Sequence, residues 1–87
     1  MALVEPEALA NYELSRIYIA GKLSEARQVE ELLGGHGVDY TVQVEPYRAS
    51  ILLGPRNGAA FYVIDTQAEF CRQHLAAAGF HRGLLYE

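Results

Sequence analysis

Two stretches of the chain share one pattern, and together they decide the fold. Residues 24–38 read SEARQVEELLGGHGV, and residues 66–80 read TQAEFCRQHLAAAGF. When the two are aligned, five pairs of small or apolar residues coincide: Ala26 with Ala68, Val29 with Cys71, Leu33 with Leu75, Gly37 with Gly79, and Val38 with Phe80. Each stretch follows a β-rich run, residues 16–20 and residues 60–64. A strand–helix unit that occurs twice in a short chain indicates a split βαβ arrangement.

Each repeat carries signals for the start and the end of a helix. Ser24 is expected to cap the first helix by accepting a hydrogen bond from a free backbone N–H. Thr66 and Glu69 have the spacing of a capping box, in which the threonine accepts from the backbone and the glutamate reaches back. The glycines at the ends of the repeats, above all Gly37 and Gly79, are expected to stop the helices, because glycine adopts left-handed dihedrals at little cost.

The residues between and after the helical stretches predict strands. Residues 38–45 alternate between apolar and polar side chains, as in a half-solvated strand, and the inward positions would be Val38, Tyr40, Val42 and Val44. Pro46 would mark a strand end, an edge or a bulge. Residues 54–58 contain Asn57-Gly58, a strong hairpin-turn signal. Residues 59–64 are apolar on both faces and predict a central strand, and residues 84–86 predict a short final strand.

These elements follow one another in the order βαββαβ. Right-handed crossovers would place both helices on one face of a four-stranded antiparallel sheet. The predicted fold is therefore an α+β, ferredoxin-like sandwich in which the strands that begin near Arg16 and Ala59 are central. We expect residues 1–14 to be a lead-in, either a short helix or an arm, and residues 15–87 to be a single ferredoxin-like domain.

Composition narrows the classes of function. The chain has 87 residues with 7 basic and 11 acidic side chains, a formal net charge of −4. This balance disfavours nucleic acid and anionic membranes, since neutralising phosphates requires clustered Lys and Arg. Cys71 is the only cysteine, which excludes an internal disulfide and fits a reducing cytoplasm. No apolar run approaches the roughly 20 residues that a membrane span needs.

Four residues are candidates for binding. Tyr18 and one of Phe61 or Tyr62 would lie on the two central strands, and Arg56 lies in the predicted turn. If the aromatic rings face away from the helices, they form a surface for a ligand, a partner or a second copy of the chain. The alternative is that they are ordinary strand aromatics covered by the lead-in. The turn with Arg56 could hold an anion, although a simple hairpin explains the same residues.

No catalytic site, metal site or cofactor is predicted. Cys71 and His74 are neighbours on a helix, but a zinc site needs at least three protein ligands and the sequence has no matching pair elsewhere. Cys71 aligns with Val29 of the first repeat, so we expect it to be a small buried hydrophobe. His36, His74 and His81 show no ligand spacing and are expected to be surface histidines.

Two resemblances bear on function. Residues 17–23, IYIAGKL, and residues 57–63, NGAAFYV, resemble the two signatures of the RNA-recognition motif, whose members stack bases on strand aromatics. Here Ala59 stands where one aromatic is expected, the basic residue is displaced to Arg56, and the acidic balance disfavours RNA.

The chain also resembles a family of small putative prokaryotic signal-transducing proteins of unknown function, which is thought to be related to the PII nitrogen-regulatory proteins. The resemblance lies in RIYIAGKLSEA at residues 16–26, in LL at 32–33, GV at 37–38 and FYV at 61–63, and in AAAGF at 76–80. It implies a ferredoxin-like fold and a regulatory role. PII proteins bind nucleotide between subunits, but residues 45–58 are shorter than the corresponding loop and contain no nucleotide motif, so nucleotide binding is not carried over.

Three hypotheses about function remain, and none of them is an enzyme. The first is a regulatory or ligand-binding module for a small molecule or a protein. The second is a structural interaction domain that forms a homodimer through the open sheet face or the strand that starts at Val38. The third is a single-stranded RNA binder that uses aromatics of the sheet. A domain this small buries only roughly two-thirds of its unfolded surface, which favours self-association.

Overall fold

The sheet has three antiparallel strands in the order β1-β3-β2, with β1 at Leu14–Ala20, β2 at Tyr40–Ser50 and β3 at Gly54–Ile64. Helix α1 spans Leu23–Gly35 and helix α2 spans Ala68–Ala77, and short 3₁₀ turns lie at Pro6–Leu9 and Asp65–Gln67. This computed structural model describes residues 4, 6–50 and 54–86, with the side chains of all of them except 6, 8, 47–50 and 54–56. The α+β class, the two helices and the central position of β3 agree with the sequence.

The predicted fourth strand is present only as an isolated bridge. Leu84 bridges Tyr18 in antiparallel orientation. Two main-chain hydrogen bonds flank the bridge, from Ile19 N–H to the Gly83 carbonyl at 2.9 Å and from Leu85 N–H to the Ile17 carbonyl at 2.8 Å. Only residues 83–85 of the C-terminal segment lie alongside β1, and this stretch is too short for a strand. In the described residues β1 is therefore an outer strand of the sheet rather than a central one.

The β2–β3 hairpin is longer than the sequence predicts. The two strands pair continuously from Tyr40 opposite Val63 to Arg48 opposite Pro55, and Pro46 lies within this ladder opposite Asn57. β2 is an outer strand, where a proline is tolerated. The predicted turn at residues 54–58 is wrong, because Asn57-Gly58 lies inside β3 and Gly58 lacks the positive φ that a hairpin turn of this type requires. The connection between the strands falls at residues 51–53, outside the described part of the chain.

The expected burial of β2 holds only at its start. Val38 and Tyr40 are buried, but Val44 is 77% exposed. Val44 lies opposite Ala59, which also pairs with Ala20 at the end of β1, and beyond that point the hairpin continues without β1. The part of β2 around Val44 thus extends beyond the end of β1, and its inward-facing side chains are no longer buried there. The alternation of apolar and polar residues along a strand does not show where this burial stops.

Both helices begin without the predicted side-chain caps. The N-cap of α1 is Lys22, whose carbonyl accepts from Ala26 N–H at 3.0 Å, and no side chain caps this end. Instead of Ser24, the carboxylate of Glu25 lies at the start of α1 and accepts from Gly21 N–H at 3.3 Å. The capping box of Thr66 and Glu69 is also absent, because a 3₁₀ turn precedes α2 and moves its N-cap to Gln67.

The ends of the two helices confirm the repeat. After α1, Val38 N–H donates to the Leu33 carbonyl at 3.0 Å and Gly37 N–H donates to the Gly34 carbonyl at 3.1 Å. After α2, Phe80 makes the same bond to Leu75 at 2.9 Å, and Gly79 makes the same bond to Ala76 at 3.0 Å. These are two Schellman motifs, and the glycines take the left-handed position with φ of 72° and 96°.

The main core lies between the helices and one face of the sheet. It joins the aligned apolar residues of the two repeats to residues of the three strands: Ala26, Val29 and Leu33 with Ala68, Cys71 and Leu75 from the helices, and Ile17, Tyr18, Ala20, Tyr40, Phe61 and Val63 from the sheet. A bulge in β1 between Arg16 and Tyr18 brings Ile17 to the same side as Tyr18. Because of this bulge, Ile17 and Tyr18 do not point to opposite faces, as consecutive residues of a regular strand would.

The lead-in covers part of the opposite sheet face. Val4 N–H donates to the Tyr40 carbonyl at 2.8 Å, beside β2, and the Glu13 carbonyl accepts from Asp65 N–H at 2.8 Å, beside β1. Between these anchors Leu9 is buried but does not belong to the helix-side core. On the same face Thr41, expected to point into solvent, is 1% exposed. The chain therefore covers this end of the face with its own N-terminal segment.

None of the helices in the described ranges has both the length and the apolar character that crossing a membrane demands.

Candidate functional site

Tyr18 and Phe61, two of the predicted binding residues, face the helices. They lie opposite each other on β1 and β3 and are 1% and 0% exposed. The ring of Phe80 packs edge-on against Tyr18, with ring centroids 5.9 Å apart, and Tyr40 lies against Phe61 at 5.7 Å. Neither ring can stack on a base or bind a ligand while the domain is folded, so both serve the core.

Buried tyrosine hydroxyls attach the sheet to α1. Tyr18 Oη donates to Glu25 Oε2, and Tyr40 Oη donates to Glu30 Oε1 at 2.8 Å. Burial, together with each neighbouring carboxylate, raises the pKa of both tyrosines well above the usual range. Glu25 and Glu30 are therefore half-buried acceptors.

Tyr62 lies on the other face of the sheet, in a small polar network. Its hydroxyl donates to Glu45 Oε2, while Arg16 Nη1 donates to Glu45 Oε1 at 2.6 Å. The three side chains come from three different strands. Arg16 on β1 pairs with Tyr62 on β3, and Glu45 lies on β2, the other neighbour of β3. The hydrogen bond from Tyr62 and the Arg16 guanidinium lower the pKa of Glu45 against the opposing effect of burial. The network links the strands and leaves the Tyr62 ring only half-buried.

The lowered pKa of Glu45 predicts an acid-dependent loss of stability. A carboxylate with a lower pKa in the folded state stabilises the fold above its unfolded pKa, and this contribution disappears as the pH falls through the folded value. We expect Glu45→Gln to lower the free energy of unfolding by about 1 kcal/mol at pH 7, and by less at pH 3. Urea denaturation at both pH values measures this difference. Glu31→Gln, at an exposed position of α1, should have no effect at either pH; an equal loss at pH 3 and pH 7 would contradict the assignment to Glu45.

The fourth predicted binding residue cannot be placed in a site. Arg56 lies within β3, opposite Tyr47, but its side chain falls outside the described part of the structure. The backbone there is a strand rather than the anion-holding turn that the sequence predicts. The four predicted residues therefore do not form one surface: two are in the core, and Tyr62 is on the opposite face.

An apolar groove lies where the hairpin extends beyond β1. Its volume is about 250 Å³, and it is lined by residues from the end of β1, the start of α1 and the middle of the hairpin: Ala20, Gly21, Lys22, Leu23, Ala26, Val44, Asn57, Gly58 and Ala59. Leu23 at 70% and Val44 at 77% exposure form part of this lining. The groove is open and mostly apolar, with Lys22 among its lining residues, so it can accommodate a small apolar group. We call it the β1–α1 groove.

Two histidines that are far apart in the sequence meet on the surface. His36 caps the C-terminus of α1, His74 lies in α2, and their ring centroids are 4.2 Å apart. Phe70 packs against both rings, at 4.3 Å from His74 and 5.6 Å from His36. Their separation in the sequence does not match the spacing of a metal-ligand motif, because only the packing of α1 against α2 brings them together. In the described residues no three His, Cys, Asp or Glu side chains form a group that could hold a metal by themselves.

Cys71 is a free thiol buried in the core, as the repeat predicts. Burial raises its pKa to about 11, with a small opposing effect from Arg72. We therefore expect a thiol reagent to label the native protein at pH 7 only slowly, and to label it fast in denaturant. Cys71→Ala should lower the free energy of unfolding by about 1 kcal/mol through a small cavity, whereas Cys71→Asp should be severe. Rapid native labelling would show that the thiol is accessible and contradict this role.

Comparison with known proteins gives no relative. The chain matches no family model, no curated protein and no solved structure.

Proposed function

We propose that this protein is a small regulatory module without catalytic activity, and that it binds a small apolar ligand in the β1–α1 groove. The observation that carries the proposal is the groove itself, whose lining is mostly apolar and whose Leu23 and Val44 are largely exposed. Large apolar side chains left in solvent beside a concave surface mark binding sites more often than isolated exposed residues do. The regulatory role rests on the resemblance to the PII-related signal-transducing family.

The size and chemistry of the groove narrow the ligand. A volume of about 250 Å³ lies just below the usual range for drug-sized ligands, so the proposed ligand is compact. Lys22 and Asn57 are the polar side chains of the lining, and the rest is glycine or apolar. A ligand with an apolar body and few polar groups would match this surface.

A ferredoxin-like topology and a cytoplasmic location belong to the same proposal. Support for the topology comes from the Tyr18–Leu84 bridge, which lies on the free side of β1 and would extend the order to final segment, β1, β3, β2. Support for the location comes from the buried free thiol of Cys71 and the lack of a second cysteine.

A thermal-shift screen against nucleotides and metabolites tests ligand binding, because a ligand that prefers the native state raises the melting temperature. The variant Val44→Lys places a charge in the groove, and Val44→Thr is a matched control of similar shape. We expect a ligand that raises Tm in the wild type and in Val44→Thr but not in Val44→Lys. A library without effect, or a ligand whose effect survives Val44→Lys, would count against the groove.

A homodimer is the second candidate function. The same exposed Leu23 and Val44 favour it, and Val44 lies on the outer strand β2, which could pair with a second copy. Sedimentation equilibrium at micromolar concentration should then show a dimer that Val44→Lys weakens and Val44→Thr does not. A strictly monomeric wild type would exclude this candidate and leave the ligand hypothesis standing.

The burial of two of the predicted rings counts against single-stranded RNA binding through sheet aromatics. That hypothesis needs at least two accessible rings on one face, and Tyr18 and Phe61 are buried in the core.

A further inference from the structure

We propose that His36 and His74 form a surface site for a late first-row divalent metal ion, such as Zn²⁺ or Cu²⁺, with water completing the coordination. The site is separate from the β1–α1 groove, since none of its residues lines that groove. It would connect the end of α1 to α2.

The distance between the two rings suits a shared ion. Their centroids are 4.2 Å apart and the ring planes are inclined by 45°. Metal–imidazole bonds are about 2.0–2.1 Å long, so two nitrogens on one ion lie about 3 Å apart. The proposal requires that rotations of the two side chains bring one nitrogen of each ring to that separation, and the centroid distance is compatible with this.

Both backbones are held in place before any ion arrives. The His36 N–H donates to the carbonyls of Leu32 and Leu33, each at 3.2 Å, and the Schellman motif around Gly37 fixes the chain that follows. His74 is within α2, and its carbonyl accepts from Ala78 N–H at 3.1 Å. A site on two such supports loses little conformational entropy on binding.

The imidazole nitrogens are not used by the rest of the described chain. Both histidine rings make ring contacts with each other and with Phe70, and no hydrogen bond or ion pair to either imidazole exists in the described ranges. His36 is exposed and His74 is half-buried, so ions in solution can reach both side chains. Accessible imidazole nitrogens that make no hydrogen bond within the described ranges are available as ligands for a transition metal.

The ligand set predicts which ions bind. Since no third His, Cys, Asp or Glu joins this pair in the described part of the chain, two nitrogens and several waters are the expected coordination. Imidazole suits Zn²⁺, Ni²⁺ and Cu²⁺, whereas Mg²⁺ and Ca²⁺ prefer oxygen ligands. Affinity should rise toward Cu²⁺ along the Irving–Williams order.

Calorimetric titration of the untagged full chain with Zn²⁺ at pH 7.5 tests the site, with variants His36→Gln, His74→Gln and both together. His81→Gln is the matched control, because His81 is also exposed but lies outside the pair. We expect one ion per chain in the wild type and in His81→Gln. Each of the two other single variants should bind at least about tenfold more weakly, since even the loss of an outer partner costs 10- to 100-fold.

A second measurement does not depend on the variants folding normally. Electron paramagnetic resonance of the wild type with one equivalent of Cu²⁺ should show hyperfine coupling to two imidazole nitrogens. Coupling to a single imidazole would overturn the proposal, and so would unchanged Zn²⁺ affinity in the double variant. A ratio of half an ion per chain would also overturn it, because the ion would then join two copies rather than two helices.

Discussion

Replacing Gly83 with alanine is expected to lower the free energy of unfolding by about 3 kcal/mol, the upper part of the usual range for overpacked positions. A Cβ at Gly83 would lie 2.1 Å from the Ile19 carbonyl oxygen and 2.8 Å from the Tyr18 ring. Neither the Ile19 backbone nor the Tyr18 ring can move away without losing stabilising contacts. Ile19 is held to this segment by its own hydrogen bond to the Gly83 carbonyl, and Tyr18 is fixed in the core.

Urea denaturation of Gly83→Ala measures this loss, with Gly34→Ala as the control. A Cβ at Gly34 would have nothing within 4 Å, and its φ is not positive. Because alanine favours a helix by up to about 1 kcal/mol over glycine, Gly34→Ala should be neutral or stabilising. An unchanged denaturation midpoint for Gly83→Ala would show that residues 83–85 do not lie against β1 in solution.

Phe61→Ala should have an effect at least as large, about 3–5 kcal/mol, because it removes a fully buried ring from the centre of the core. The neighbouring Tyr62 provides the contrast. Tyr62→Phe keeps the ring and removes only the hydroxyl that donates to Glu45, so it should cost about 1 kcal/mol.

Equilibrium unfolding in urea followed by circular dichroism compares the two variants. If Phe61→Ala is too unstable to measure, Phe61→Leu should still lose roughly 1 kcal/mol through imperfect packing. A Phe61 variant as stable as the wild type would place the ring outside the core and restore it as a candidate binding residue.

The parts of the fold that follow from local pattern could be predicted from the sequence. Leu33, Gly37 and Val38 recur as Leu75, Gly79 and Phe80, and each set forms the same C-terminal helix motif. The motif needs only a residue that tolerates positive φ and an apolar pair around it, and both lie within a few residues of each other.

Helix starts and turns were predicted less well, because several local solutions compete there. Ser24 and Thr66 are good caps by residue type, yet Glu25 and a 3₁₀ turn occupy those ends instead. Asn57-Gly58 is a good turn by residue type, yet cross-strand pairing to Pro46 and Glu45 keeps it extended. Tertiary pairing outweighs these local preferences.

The candidate sites depend on contacts that the sequence does not display. The bulge at Ile17 and the register of β1 against β3 decide which face Tyr18 and Phe61 take. His36 and His74 meet only because α1 packs on α2, and the β1–α1 groove exists only because the hairpin extends beyond β1. No spacing rule within a single element could have found either feature.

The strand order β1-β3-β2 also has a consequence for how the chain folds. β2 and β3 are neighbours in sequence, whereas Ser15 and Asp65, which hydrogen-bond where β1 meets the end of β3, are 50 residues apart. Closing the larger loop costs more entropy, so we expect the hairpin to form the folding nucleus and β1 to join it later, with the C-terminal segment last. Leu84→Ala should then accelerate unfolding and leave the folding rate unchanged in a chevron experiment, and a slowed folding rate would place the C-terminal segment in the nucleus instead.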